Sequence, residues 1–180
     1  MAKPNLSPFD TFATEDPALR LVYDYAGKVR GQGKFARLAD IDFFAIPAAV
    51  PYLYTMAVSG GARPRFVYKF SGTEVDALLG FNPLGQAIDE IYTKPGHRIV
   101  QLYNDFFQRR EAQIIHAIFY KPDGIDRVIA RLAIPLSDDN ENITHIIGAT
   151  AMRRRTHYAP ITPKPERPSE LEVYYLPLAN

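Results

Sequence analysis

The sequence predicts an α+β fold: a five-stranded antiparallel sheet with helices on one face, an additional N-terminal helix and an extended C-terminal tail. Three observations predict it. The segment from His97 to Glu111 carries Ile99, Leu102, Tyr103, Phe106 and Phe107 on one wide apolar stripe at helical spacing. Three strand-like runs follow it, joined only by short polar turns. Two further strand-like runs precede it around a glycine-rich break. The order β-β-α-(short helices)-α-β-β-β places no crossover helix among the last three strands, so they form an antiparallel meander.

The elements follow in order. Asp16-Pro17 opens a helix with a capping residue and proline at the first helical position. Leu19, Val22, Ala26 and Val29 recur along it, and Gly31 and Gly33 end it. A turn or short helix spans Ile41 to Val50, broken by Pro47 and Pro51. Tyr52 to Val58 and Arg65 to Ser71 are the two strands of a hairpin, with Phe66, Tyr68 and Phe70 on one face of the second. Thr73 caps a short helix carrying Val75, Leu78 and Leu79, which Gly80 terminates. After the long helix, strands are expected at Gln113 to Tyr120, Asp126 to Leu136 and Ile143 to Met152. In the middle one Val128, Ala130, Leu132, Ile134 and Leu136 face one way, and Arg127 and Arg131 the other.

Residues 1–15 are read as an irregular arm, 16–155 as one domain and 156–180 as a proline-rich tail. Pro4, Pro8 and Pro17 punctuate the start, and Pro160, Pro163, Pro165, Pro168 and Pro177 the end. A chain of 180 residues buries roughly 70% of its unfolded surface, enough for a core without staples. Cysteine is absent, which excludes disulfides, thiolate metal sites and thiol nucleophiles. Twenty-one basic residues against twenty acidic ones create no global field for nucleic acid or anionic membrane. No apolar stretch stands behind Lys3 to act as a signal peptide, and none is long enough to span a membrane. The expected location is the cytoplasm.

Several stretches in this order resemble the PAS domain family, in particular short standalone bacterial PAS-like proteins. They are Arg37-Leu38-Ala39-Asp40-Ile41-Asp42, Arg65-Phe66-Val67-Tyr68-Lys69-Phe70, and Gly72-Thr73-Glu74-Val75 continuing through Leu78-Leu79-Gly80, Gly85 and Ile88-Asp89-Glu90. The resemblance covers roughly Leu19 to Arg153. It implies a sensory or interaction module without catalytic output. The chain departs from the family in two respects. It lacks the reactive cysteine of light-sensing members, and Ala149-Thr150-Ala151-Met152 stands where many members end in Asp-x-Thr.

Gly80-Phe81-Asn82-Pro83-Leu84-Gly85 has phosphate-loop glycine spacing, but Gln86-Ala87 replaces the Lys-Ser/Thr pair, so the glycines read as a helix stop and a turn. His97, His116, His145 and His157 lack metal-ligand spacing, although His116 and His145 both lie mid-strand. No nucleophile, base and acid converge, so no catalytic residue is expected. No cofactor is required. A small-molecule site would be walled by Tyr68, Tyr103, Phe107, His116 and Leu132, apolar surfaces with a few polar tips. The competing reading is that these side chains simply fill the core. Arg127, Arg131, Arg153, Arg154 and Arg155 read as a surface for a protein partner, and neither nucleic acid nor membrane is expected.

The tail Ser169 to Leu176 either docks back on the domain or adds to a neighbour's sheet edge. The face bearing Arg127, Ile129, Arg131 and Ala133 needs a cover, supplied by the N-terminal helix or by a second copy in a homodimer. The leading function is a sensory module acting by contact. The alternatives are a small cone-shaped isomerase or dehydratase, and a structural dimerisation domain.

Overall fold

The protein is described by a computed structural model covering residues 16–61, 63–93, 97–119, 125–156 and 170–178. The expected arm, residues 1–15, lies outside them, as does most of the tail. Helix α1 runs Pro17–Arg30 and stops at Gly31, whose φ of 54° suits a residue without a Cβ. Three 3₁₀ turns, Leu38–Asp40, Phe43–Ala45 and Pro47–Tyr52, carry the chain to the sheet. Strands β1 (Leu53–Ser59) and β2 (Arg65–Ser71) form the expected hairpin. Helices α2 (Thr73–Leu79), α3 (Ile88–Ile91) and α4 (Arg98–Arg109) follow. Gly72 rather than Thr73 is the N-cap of α2. Strands β3 (Ala112–Phe119), β4 (Ile125–Leu136), β5 (His145–Thr156) and β6 (Glu170–Leu176) complete the chain.

All neighbouring strands pair antiparallel in the order β2-β1-β5-β4-β3-β6. The first five strands, with helices between β2 and β3, are the α+β arrangement that the PAS resemblance implies. The sixth is an addition to the expected five. The segment read as tail docks in cis along β3, from Ala112↔Leu176 to Ile118↔Glu170, and so covers an otherwise open edge.

Both faces of the sheet are covered. On the outer face, Leu19, Val22 and Ala26 of α1 pack with Ile114, Leu132, Ile134 and Ile147 in an aliphatic layer. On the inner face, Val75, Ile88, Tyr103 and Phe106 of the helices pack with Tyr54, Met56, Phe66, Tyr68 and Ile146. The aromatic stripe of α4 therefore lies on the sheet as the sequence predicts.

The two sides of β4 are exchanged relative to expectation. Their alternation holds, but Leu132 and Ile134 face α1, while Arg131 and Ala133 face the aromatic helices. Periodicity of two shows which residues share a face, not which cover that face meets. The arginine side is expected outermost, for α1 or a partner to cover, yet β4 is a central strand buried on both sides and that side meets the aromatic helices. Its aliphatic side fits the aliphatic stripe of α1, and Arg131 finds aromatic rings instead.

Candidate ligand site on the inner face of the sheet

The inner face is built around Arg131, which is 8% exposed. Its Nε donates to the Tyr54 hydroxyl at 3.1 Å, and one terminal nitrogen donates to the Tyr68 hydroxyl at 3.2 Å. The guanidinium carbon lies 4.6 Å from the Tyr54 ring centroid and 4.6 Å from that of Tyr103. Tyr54 in turn donates to the Leu132 carbonyl at 2.8 Å. Three elements thus converge: β1 supplies Tyr54, β2 Tyr68 and α4 Tyr103. Phe66 tilts against Tyr103 at 5.1 Å and meets Phe107 edge-on at 6.4 Å, closing the aromatic wall.

Gly148 makes this arrangement feasible. It pairs with both Tyr54 and Ala133, and the Tyr54 ring crosses it on the way to β4. A Cβ at Gly148 would collide with the Tyr54 phenol and with the Leu132 carbonyl oxygen. Close approach of the Leu132 carbonyl and the Tyr54 ring, not an unusual backbone angle, accounts for the glycine here.

Burial disfavours the charge on Arg131, and Tyr54, Tyr68 and Tyr92 favour it. A guanidinium stays protonated in either case. Burial likewise pushes the Tyr54 phenol above its ordinary range, against the pull of Arg131, and burial raises Tyr92 as well. Desolvating a cation costs several kcal/mol. Two desolvated ring contacts return about 2 kcal/mol each, and hydrogen bonds to a charged group roughly 1.5–3 kcal/mol. The cation is held, but by neutral groups. Among the described residues, two more polar side-chain atoms are buried without a partner: the Tyr103 hydroxyl and one terminal nitrogen of Arg127.

The expected site residues divide between the two faces. Tyr68, Tyr103 and Phe107 come together on the inner face. Leu132 lies fully buried on the opposite face, among the residues that meet α1. His116 alternates with Ile114 on that same outer side, with its Nδ1 3.8 Å from the Glu172 carboxylate of β6. Neither can share a cavity with Tyr103, because the sheet stands between them.

The arginines grouped as a partner surface also separate. Arg131 is interior. Arg127 shares its side of β4 and is half-buried. Arg153 pairs with Asp16 at 3.0 Å, so it joins β5 to the start of α1, and the buried Asp16 carboxylate makes no side-chain cap there. Arg154 and Arg155 lie within β5 rather than after it, with side chains outside the described residues.

The remaining candidates have structural roles. His97 caps α4, its Nδ1 accepting from the Ile99 amide at 3.2 Å. His145 contacts Thr144 and Asp138 at the far end of β5, with β4 between it and β3. Gly80 ends α2 at φ 83°, and the Gly85 amide donates to the Tyr68 carbonyl at 2.9 Å. Among the described residues, no group of three or more His, Asp or Glu could hold a metal ion. Among them too, no helix is long and apolar enough to cross a membrane.

Tyr54, the interior role of Arg131, Gly148 and Gln113 were missed. Gln113 is 2% exposed. Its amide donates to the Leu102 carbonyl of α4 and to the Tyr175 hydroxyl of β6, both at 3.1 Å. Arg109 of α4 stacks on the same Tyr175 ring at 4.2 Å. Helix α4 and the added strand are therefore joined side chain to side chain.

No family model and no curated protein matches the chain. Among solved structures it is similar to an RNA-binding light-oxygen-voltage receptor, with a TM-score of 0.42 and 14% identity. That match covers 62% of this chain and 33% of the receptor, so this chain spans about a third of its length. It is also similar to a light-oxygen-voltage domain studied with a flavin analogue, with a TM-score of 0.43 and 15% identity over 61% of this chain and 82% of that one.

Proposed function

We propose that the protein is a sensory module that binds a small molecule between the sheet's inner face and α4, and signals by contact without a catalytic step of its own. The observation that carries this reading is the polar cluster of Arg131, Tyr54, Tyr68 and Tyr103 sealed inside an aromatic wall. Ligand sites combine mostly apolar walls with a few fixed polar groups in this way. A plain core would be expected to bury aliphatic side chains there, as the outer face does.

The route outward is α4 through Gln113 and Tyr175 to β6. A ligand that favours one position of α4 shifts the population of docked β6, and a partner protein or a second copy reads that edge. The inner-face residues in this reading are Tyr54, Tyr68, Tyr103, Phe107 and Arg131. A cytoplasmic location and homodimerisation belong to the same proposal. The isomerase reading would need a buried Asp–His or Tyr–Asp pair. Among the described residues the buried acid is Asp16, which serves Arg153 at α1.

Native mass spectrometry and an absorption spectrum of freshly purified protein test the reading. The expected result is a retained small molecule whose removal lowers amide protection in α4 and β6 together. A mass equal to that of the bare chain, with no change in protection in cell extract, would refute it.

A further inference from the structure

Arg131 is a buried cation whose partners among the described residues are two phenol hydroxyls and two ring faces, with no carboxylate among them. Buried charges are ordinarily met by an opposite charge, because ring faces and neutral hydroxyls answer only part of the lost hydration. Tyr103, itself 2% exposed, stacks on that guanidinium, and its hydroxyl has no partner. A second guanidinium, that of Arg127, lies on the same side of β4 with an unpartnered buried nitrogen. The charge of Arg131 and the unused Tyr103 hydroxyl therefore meet inside rings that accept flat molecules, and Arg127 adds a second positive charge further along the same side of β4.

We infer that the ligand of this face is a small planar carboxylate, received by the guanidinium of Arg131 and the hydroxyl of Tyr103. The inference rests on the sensory reading above and names its ligand class. A carboxylate suits the planar guanidinium fork better than a tetrahedral oxyanion does. It also needs fewer donors than a phosphate, and the tyrosines already occupy two of Arg131's donors. Tyr103 then changes from an unsatisfied hydroxyl to a donor on a charged acceptor.

The test uses the full chain in ¹⁵N-labelled form, titrated with acetate, benzoate, neutral benzamide and inorganic phosphate. Saturable binding is expected for acetate or benzoate, at least about tenfold tighter than benzamide. Tyr103→Phe keeps the ring and its packing, so the variant folds and its unliganded form is no less stable. Its carboxylate affinity should fall about tenfold. Arg131→Lys, which keeps charge but loses the fork, should weaken binding by a similar factor. Equal affinity for benzoate and benzamide, tighter binding of phosphate, or an unchanged affinity in Tyr103→Phe would overturn the carboxylate assignment while leaving ligand binding intact. No response to either carboxylate would overturn it too. Failure of the sensory reading is read separately, from the native mass and amide protection of the purified protein.

Discussion

Tyr54→Phe isolates the hydroxyl at the centre of the inner face. The substitution keeps the ring that lies 4.6 Å from the Arg131 guanidinium carbon. It removes the 2.8 Å bond to the Leu132 carbonyl and the 3.1 Å bond from Arg131 Nε. The first loss leaves a buried carbonyl one bond poorer, at about 1 kcal/mol, and the second loosens a charged donor, at roughly 1.5–3 kcal/mol. The sum is about 3 kcal/mol, or a melting temperature lower by about 6–12 °C for a domain of this size. Urea unfolding followed by tyrosine fluorescence measures it. A double-mutant cycle with Arg131→Met separates the pair, with a coupling of about 1–3 kcal/mol expected. A Tyr54→Phe cost below about 1 kcal/mol, with no coupling to Arg131, would refute the view that this hydroxyl holds the buried guanidinium.

Three further outcomes are expected. Gly148→Ala drives a Cβ into the Leu132 carbonyl oxygen and the Tyr54 ring and should cost about 1–3 kcal/mol or more in the same unfolding assay, with only the ring's share relieved when combined with Tyr54→Ala. Ending the chain at residue 169 uncovers the β3 edge and should produce higher-mass species in light scattering, where the intact chain gives one sharp mass. Asp139 accepts from the Asn142 side chain and backbone, the Glu141 amide and the Ser137 hydroxyl, and these bonds hold its carboxyl well below the usual range. A depressed pKa stabilises the fold above the unfolded-state value near 4 and loses that contribution as pH falls through the folded one. Asp139→Ala should therefore narrow its stability gap to the parent between about pH 5 and pH 2; a gap constant across that window would contradict the assignment.

Much of the fold was legible because its signals are local. The α4 stripe of Ile99, Leu102, Tyr103, Phe106 and Phe107 and the alternation of β4 each require only a reading of spacing. The residues of the proposed inner-face site were legible in part. Tyr68, Tyr103 and Phe107 were named because they sit on apolar faces, but Leu132 and His116 were assigned to the wrong side. Which cover a strand face meets is set by packing of distant segments, and arginine's frequency at partner surfaces pointed to the outer face. A signal was present: β4 carries apolar residues on both sides of Arg131 along Val128 to Leu136, the pattern of a strand with no solvent face. Gln113 and Gly148 had no such signal, since their roles depend on β6 docking and on one ring crossing another strand.

Docking of β6 also determines what the domain can present to others. Seven residues of the chain's own end occupy the lane that an incoming β-strand would take. Any partner seeking that lane must first displace Tyr175 from both Gln113 and Arg109. An incoming strand would therefore compete with a segment of the same molecule, one held partly by the helix above the tyrosine cluster.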